Sequence, residues 1–159
     1  PPGIAILAIE SAPDGTVYVV HRCVNNSCEG RREPPILAFD TNGRLLRAFG
    51  EGLFNFPHGG TIDRAGNLWM TDARGGNGIG HQAIKLSPDG KVLMTLGTKG
   101  VSGSGPAHFD QPTDVVEAPN GDLFVTDRDG RTLCDSTPLS GEVSYADRGY
   151  FQRAPDTGL

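Results

Sequence analysis

The sequence predicts an all-β chain assembled from repeated four-stranded sheets, and three observations carry that prediction. Gly and Pro account for 23 and 12 of its 159 residues, a density that helix interiors do not tolerate. Short runs rich in β-branched and aromatic residues follow many of the glycines, as strands follow tight turns. The runs also repeat. Asp14-Gly15-Thr16-Val17-Tyr18-Val19-Val20, Gly66-Asn67-Leu68-Trp69-Met70-Thr71-Asp72 and Gly121-Asp122-Leu123-Phe124-Val125-Thr126-Asp127 share one pattern, their glycines 51 and then 55 residues apart. A unit of about 50 residues holding four short strands is the signature of a β-propeller blade. A β-sandwich also gives evenly spaced short strands, but it does not repeat the same residues in register.

The elements follow in chain order. After the first turn and strand comes Ile36-Leu37-Ala38-Phe39-Asp40, then Asn42-Gly43 and the returning run Leu45-Leu46-Arg47-Ala48-Phe49. Asn-Gly favours the positive φ of a hairpin turn, and apolar runs flank it on both sides. Next is Phe56-Pro57-His58-Gly59-Gly60-Thr61-Ile62-Asp63, which lies 55 residues before Gln111-Pro112-Thr113-Asp114-Val115-Val116-Glu117-Ala118. Pro57 answers Pro112 at the offset that relates Gly66 to Gly121, so His58 and Thr113 are equivalent positions on successive blades. Their strand is the innermost of each blade, which puts both side chains near the central channel. Ala83-Ile84-Lys85-Leu86-Ser87, Asp89-Gly90 and Val92-Leu93-Met94-Thr95-Leu96 then repeat the Asn42-Gly43 hairpin 47 residues on.

The repeat is last recognised at Asp127. No further Gly-turn hairpin is evident in 128–159, and Tyr145 to Phe151 shows no alternation. The propeller domain is therefore assigned to 1–127, and 128–159 is read as an anomalous tail, truncated or frameshifted. Three blades fall short of the four to eight that close a propeller. The chain, which begins at Pro1, is read as a fragment.

Composition excludes some partners. The net charge is −5, from 14 basic and 19 acidic residues, with no basic cluster of the kind that binds nucleic acid. No apolar run approaches the ~20 residues of a membrane span, and no signal peptide opens the chain. Cys23 and Cys28 lie in one short loop. They read either as a disulfide suited to an exported protein or as half of a zinc site lacking its second pair. A periplasmic or secreted location suits the first reading. Cys134 is left as an odd thiol in the tail.

These residues resemble the peptidyl-α-hydroxyglycine α-amidating lyases, within the wider group of NHL-repeat six-bladed propellers. The resemblance is carried by Val20-His21-Arg22, Leu53-Phe54-Asn55-Phe56-Pro57-His58-Gly59, Leu68-Trp69-Met70-Thr71-Asp72, His108-Phe109-Asp110-Gln111-Pro112-Thr113-Asp114-Val115 and Phe124-Val125-Thr126-Asp127. It spans roughly residues 5–127, the N-terminal half of a family catalytic core, and so about three four-stranded blades of an expected six. The resemblance implies cleavage of a C-terminal α-hydroxyglycine to a peptide amide and glyoxylate. It implies an axial zinc held by three histidines from different blades, with an arginine and a tyrosine at the substrate, and in some members a structural calcium bound by main-chain oxygens. His58 matches the first zinc histidine and Arg22 the arginine. Neutral imidazole suits zinc, and a guanidinium fork suits a carboxylate. The tyrosine position, two residues after Asp127, holds Asp129, and the other two zinc histidines belong to later blades. The chain alone is therefore expected to be inactive.

Each residue also has a plainer reading. His58 could line the channel and bond a neighbouring backbone, and Arg22 could be a solvated loop residue. His21 and His81 read as surface or packing residues and His108 as exposed; Asp72 and Asp127 read as caps of blade turns, and Trp69 as core. Two other functions stay open. One is a non-catalytic NHL propeller binding a peptide, protein or small ligand on its axial face. The other is a lactonase-like hydrolase, whose axial carboxylates and Asn are not seen. The expected substrate is a small molecule or a peptide C-terminus, and open blade edges predict self-association.

Overall fold

Six five-residue turns of one design organise the chain, which a computed structural model describes at residues 4–105, 107–127 and 129–135. In each, the first residue's N–H donates to the fifth residue's carbonyl, and a glycine at the fourth position donates back to the first. The pairs are Ala12 with Thr16, Asp40 with Arg44, Asp63 with Asn67, Ser87 with Lys91, Ala118 with Asp122 and Asp127 with Arg131. The fourth-position glycines all have positive φ, between 75° and 91°, which is why no other residue type stands there. Where the first residue is Asp40, Asp63 or Asp127, its carboxylate accepts the N–H groups of the third and fifth residues. Each of these turns thus satisfies its own backbone locally.

Between the turns run eleven strands in three antiparallel sheets, with no helix among the described residues. The first blade is β1 (Ile4–Ser11), β2 (Val17–Val24), β3 (Ile36–Phe39) and β4 (Leu45–Phe49), hydrogen-bonded in that order. The second is β5 (Pro57–Ile62), β6 (Leu68–Asp72), β7 (Gln82–Leu86) and β8 (Val92–Leu96). The third has β9 (Pro112–Glu117), β10 (Leu123–Asp127) and β11 (Thr132–Asp135). The innermost strands are neighbours, β1 packing on β5 and β5 on β9. Strand count, order and antiparallel pairing are those of a partial propeller.

Burial follows position in the ring. β6, the second strand of the middle blade, is buried at all five residues, because adjacent side chains point to opposite faces and both faces are covered. Leu68 and Met70 join Tyr18, Val20, Ile36, Phe49 and Phe54 in the core between the first two blades. Trp69 instead packs with Ala83, Phe109, Val115 and Val125 between the second and third. β2, by contrast, alternates buried and half-buried over most of its length. The outermost strands β4 and β8 are mostly exposed.

The third blade continues past the boundary read at Asp127. β11 pairs with β10, Val125 standing opposite Cys134. In the first two blades the second and third strands are joined by the long segments 25–35 and 73–81; here the tight turn Asp127–Arg131 joins them instead. That displaced turn hides the repeat from a search in register. The remainder of the tail, 136–159, lies outside the described residues.

Candidate functional site

Asn55 and Phe56 lead into β5, whose first two residues are Pro57 and His58, and a buried carboxylate holds this lead-in. Asp72 accepts the N–H of Asn55 at 2.8 Å and of Phe56 at 2.6 Å. It is fully buried, and burial pushes its carboxyl up to about 6 against the pull of these backbone donors. Asp72 and Asp127 are thus both caps, although Asp72 caps the strand beside it rather than its own turn.

His58 is half-buried, its Nδ1 2.9 Å from the carbonyl oxygen of Thr113 on β9. A carbonyl only accepts, so Nδ1 carries the proton and Nε2 keeps its lone pair. Burial, chiefly, lowers the His58 pKa, helped by the charges of Arg22 and Arg74 and opposed by the Thr113 bond and Asp114. The bond is the one that a channel-lining histidine would make. It is also the arrangement that orients a metal-ligating imidazole.

Arg22 leaves β2 toward the same point. Its Nε donates to the Pro57 carbonyl at 3.1 Å and an Nη to Asn26 Oδ1 at 3.3 Å. Its guanidinium carbon lies 3.8 Å from the Phe56 ring centroid, and that of Arg74 lies 3.9 Å from the same centroid. Burial, and then the charge of Arg74, pull the Arg22 pKa down.

Two loops flank this group. Cys23 and Cys28 form a disulfide, so the disulfide reading of the pair holds and the zinc half-site does not. His21, buried, accepts the Cys23 N–H on its Nδ1, a packing role. The 73–81 loop is stapled by buried Asn55, whose Nδ2 donates to the carbonyls of Gly76 at 2.6 Å and Ile79 at 3.0 Å. Glu29 of the disulfide loop accepts from Asn77 at 3.3 Å. His81 and His108 take no part in the Phe56 cluster. His81 Nδ1 accepts the Gln111 N–H at 3.4 Å, and His108 is half-buried, with Gly103 and Gly105 against it.

Among the described residues no three His, Cys, Asp or Glu side chains gather as a metal cluster. His58 is one imidazole with a free Nε2, so these residues by themselves do not hold the three-histidine zinc that the resemblance implies.

No family model matches the chain. A probable peptidyl-α-hydroxyglycine α-amidating lyase of Caenorhabditis elegans is 45% identical over 85 residues, covering 53% of this chain and 23% of that protein. The chain is a relative of the amidating lyases. This relative of the lyases also matches NHL repeat-containing protein 3 of Mus musculus, 31% identical over 78% of the chain and 34% of that protein. It therefore spans about a third or less of the length of either. Among solved structures, a catalytically inactive virginiamycin B lyase from Staphylococcus aureus with quinupristin superposes with a TM-score of 0.55 at 16% identity. That match covers 92% of this chain and 40% of the other, and shows the propeller fold alone.

In the lyase relative, His58, Arg22 and Phe56 are thus brought to one place, and Asp129 lies on the β10–β11 turn, its N–H donating to Asp127. Sequence reasoning missed Arg74, Asn55 and Asp114. Arg74 had a usable signal: it stands two residues after Asp72, where the next blade has Asp129 two after Asp127.

Proposed function

We propose that this chain is part of a propeller that cleaves C-terminal α-hydroxyglycine from peptides, yielding a peptide amide and glyoxylate. Arg22 binds the substrate carboxylate. His58 supplies, through Nε2, one of three zinc ligands, and the other two come from blades outside 4–135; the chain by itself is inactive. One observation carries this reading. The Arg22 Nε bond to the Pro57 carbonyl ties the candidate carboxylate binder to the residue next to the candidate metal ligand. A proton held on His58 Nδ1 by Thr113 leaves the nitrogen that a metal needs.

Glyoxylate release from an α-hydroxyglycine-extended peptide tests the reading in a protein that joins this chain to the further blades proposed. His58→Ala should abolish release and weaken zinc affinity tenfold or more. Unchanged zinc content and activity in that variant would sink the assignment. Ligand binding without any glyoxylate release would leave a binding propeller instead. We further propose that the chain alone self-associates through its open first blade, where Ile4, Ile6 and Ile9 are 52%, 54% and 67% exposed. A single monomeric species in sedimentation across the micromolar range would refute this.

A further inference from the structure

We propose that Arg74, paired with Arg22 on Phe56, forms a two-guanidinium carboxylate site, with Arg74 the residue that selects an anionic ligand end. The proposal deepens the carboxylate-binding role given to Arg22 and rests on that reading.

Both guanidinium carbons lie within 3.9 Å of one ring centroid. They are therefore within about 8 Å of each other, inside the Debye length at physiological salt. Among the described residues neither guanidinium has a carboxylate within ion-pair distance; the ion pairs found are Arg44–Asp40, Lys85–Asp63 and Lys91–Asp89. Glu29, the acidic side chain of the adjoining loop, is turned to Asn77. Two like charges held together without a counter-ion repel, and an anion bound beside the Phe56 ring, in the field of both, relieves that repulsion.

The arrangement is also built rather than accidental. Arg74 begins a loop whose return is fixed by Asn55 through the Gly76 and Ile79 carbonyls, and Gly76 and Ile79 exchange both backbone bonds. A Cβ on Gly80 would collide with the Arg74 carbonyl, so the loop closes tightly on that residue. Arg22 is held by Pro57 and Asn26. Both guanidiniums are already ordered on the Phe56 ring, which limits the entropy lost on binding. A carboxylate matches a guanidinium fork in charge and geometry.

The test uses the chain itself with glycolate as the probe and glycolamide as its neutral counterpart, at matched ionic strength. Saturable shifts of the arginine Nε–H signals are expected with glycolate and not with glycolamide. Arg74→Ala should weaken glycolate binding about tenfold, and Arg74→Lys should recover part of it. Arg74→Lys keeps the positive charge while losing the planar stack, so its partial recovery of glycolate binding separates this role from simple stacking. Equal binding of glycolamide, or wild-type glycolate affinity in Arg74→Ala, overturns the proposal. The two readings fail separately. Glycolate binding in a long form that releases no glyoxylate supports the site and removes the lyase; lyase activity with unchanged KM in Arg74→Ala removes the site and keeps the lyase.

Discussion

Replacing Asp72 with Asn should destabilise the chain by an amount that shrinks as pH rises. Burial lifts the Asp72 carboxyl from 3.8 to about 6, a shift worth about 3 kcal/mol. An acid whose folded pKa is raised is more readily protonated in the fold. Its contribution to stability is therefore full below pH 3.8 and is lost as pH rises through about 6. Between about pH 4.5 and 7.5 that loss comes to about 2 kcal/mol. Asn does not titrate, so the gap between wild type and Asp72→Asn should narrow by the same amount. At the acid end the gap is set by hydrogen bonds. Asp72 accepts from Asn55 and Phe56 on separate oxygens, whereas an amide turns its NH2 toward one of them, stranding a buried donor at about 1–3 kcal/mol. Near pH 7.5 the two proteins should then lie within about 1 kcal/mol of each other. Urea unfolding followed by fluorescence of Trp69, the one Trp of the chain and 1% exposed, measures both. The other shifted groups are common to the pair and cancel in the difference. A gap that stays constant from pH 4.5 to 7.5 would refute the reasoning.

Trp69→Ala should cost about 3–5 kcal/mol, because the ring fills the core between the second and third blades; circular dichroism in urea reads it. Gly60→Ala should cost about 1–3 kcal/mol, since its Cβ would press on the Trp69 carbonyl and the Met70 sulfur across the β5–β6 pair. Cys23→Ser with Cys28→Ser should cost about 2 kcal/mol for a bridge of sequence separation 5. Reductant should lower wild type to the level of that variant and leave the variant where it was.

The blade repeat was legible in the sequence because its turns are local. A glycine with positive φ and an acceptor three residues before it act within five residues, so each turn announces itself. The same logic would have exposed Asp127–Arg131, whose Asp-Arg-Asp-Gly-Arg has the plan of Asp40 to Arg44. It was passed over because it joins the second and third strands, where the earlier blades use loops. His58 and Arg22 were also legible as candidates, since both sit at fixed places in the repeat and in the strings that resemble the lyases. The Cys23–Cys28 pair was legible as a choice between two readings, which only geometry could decide.

By itself, then, the sequence determined where each hairpin turns, how the blades follow one another and which residue types stand at the inner ends of the strands. Tertiary structure alone decided which faces are buried and which side chains meet. Leu68, Trp69, Met70, Thr71 and Asp72 are all buried only because blades lie on both sides of their sheet. Arg74 reaches Phe56 beside Arg22, 52 residues earlier in the chain, only because Asn55 folds the 73–81 loop back on itself. Turn geometry is a short-range property of a few consecutive dihedrals. Burial and charge pairing depend on what another blade brings into contact.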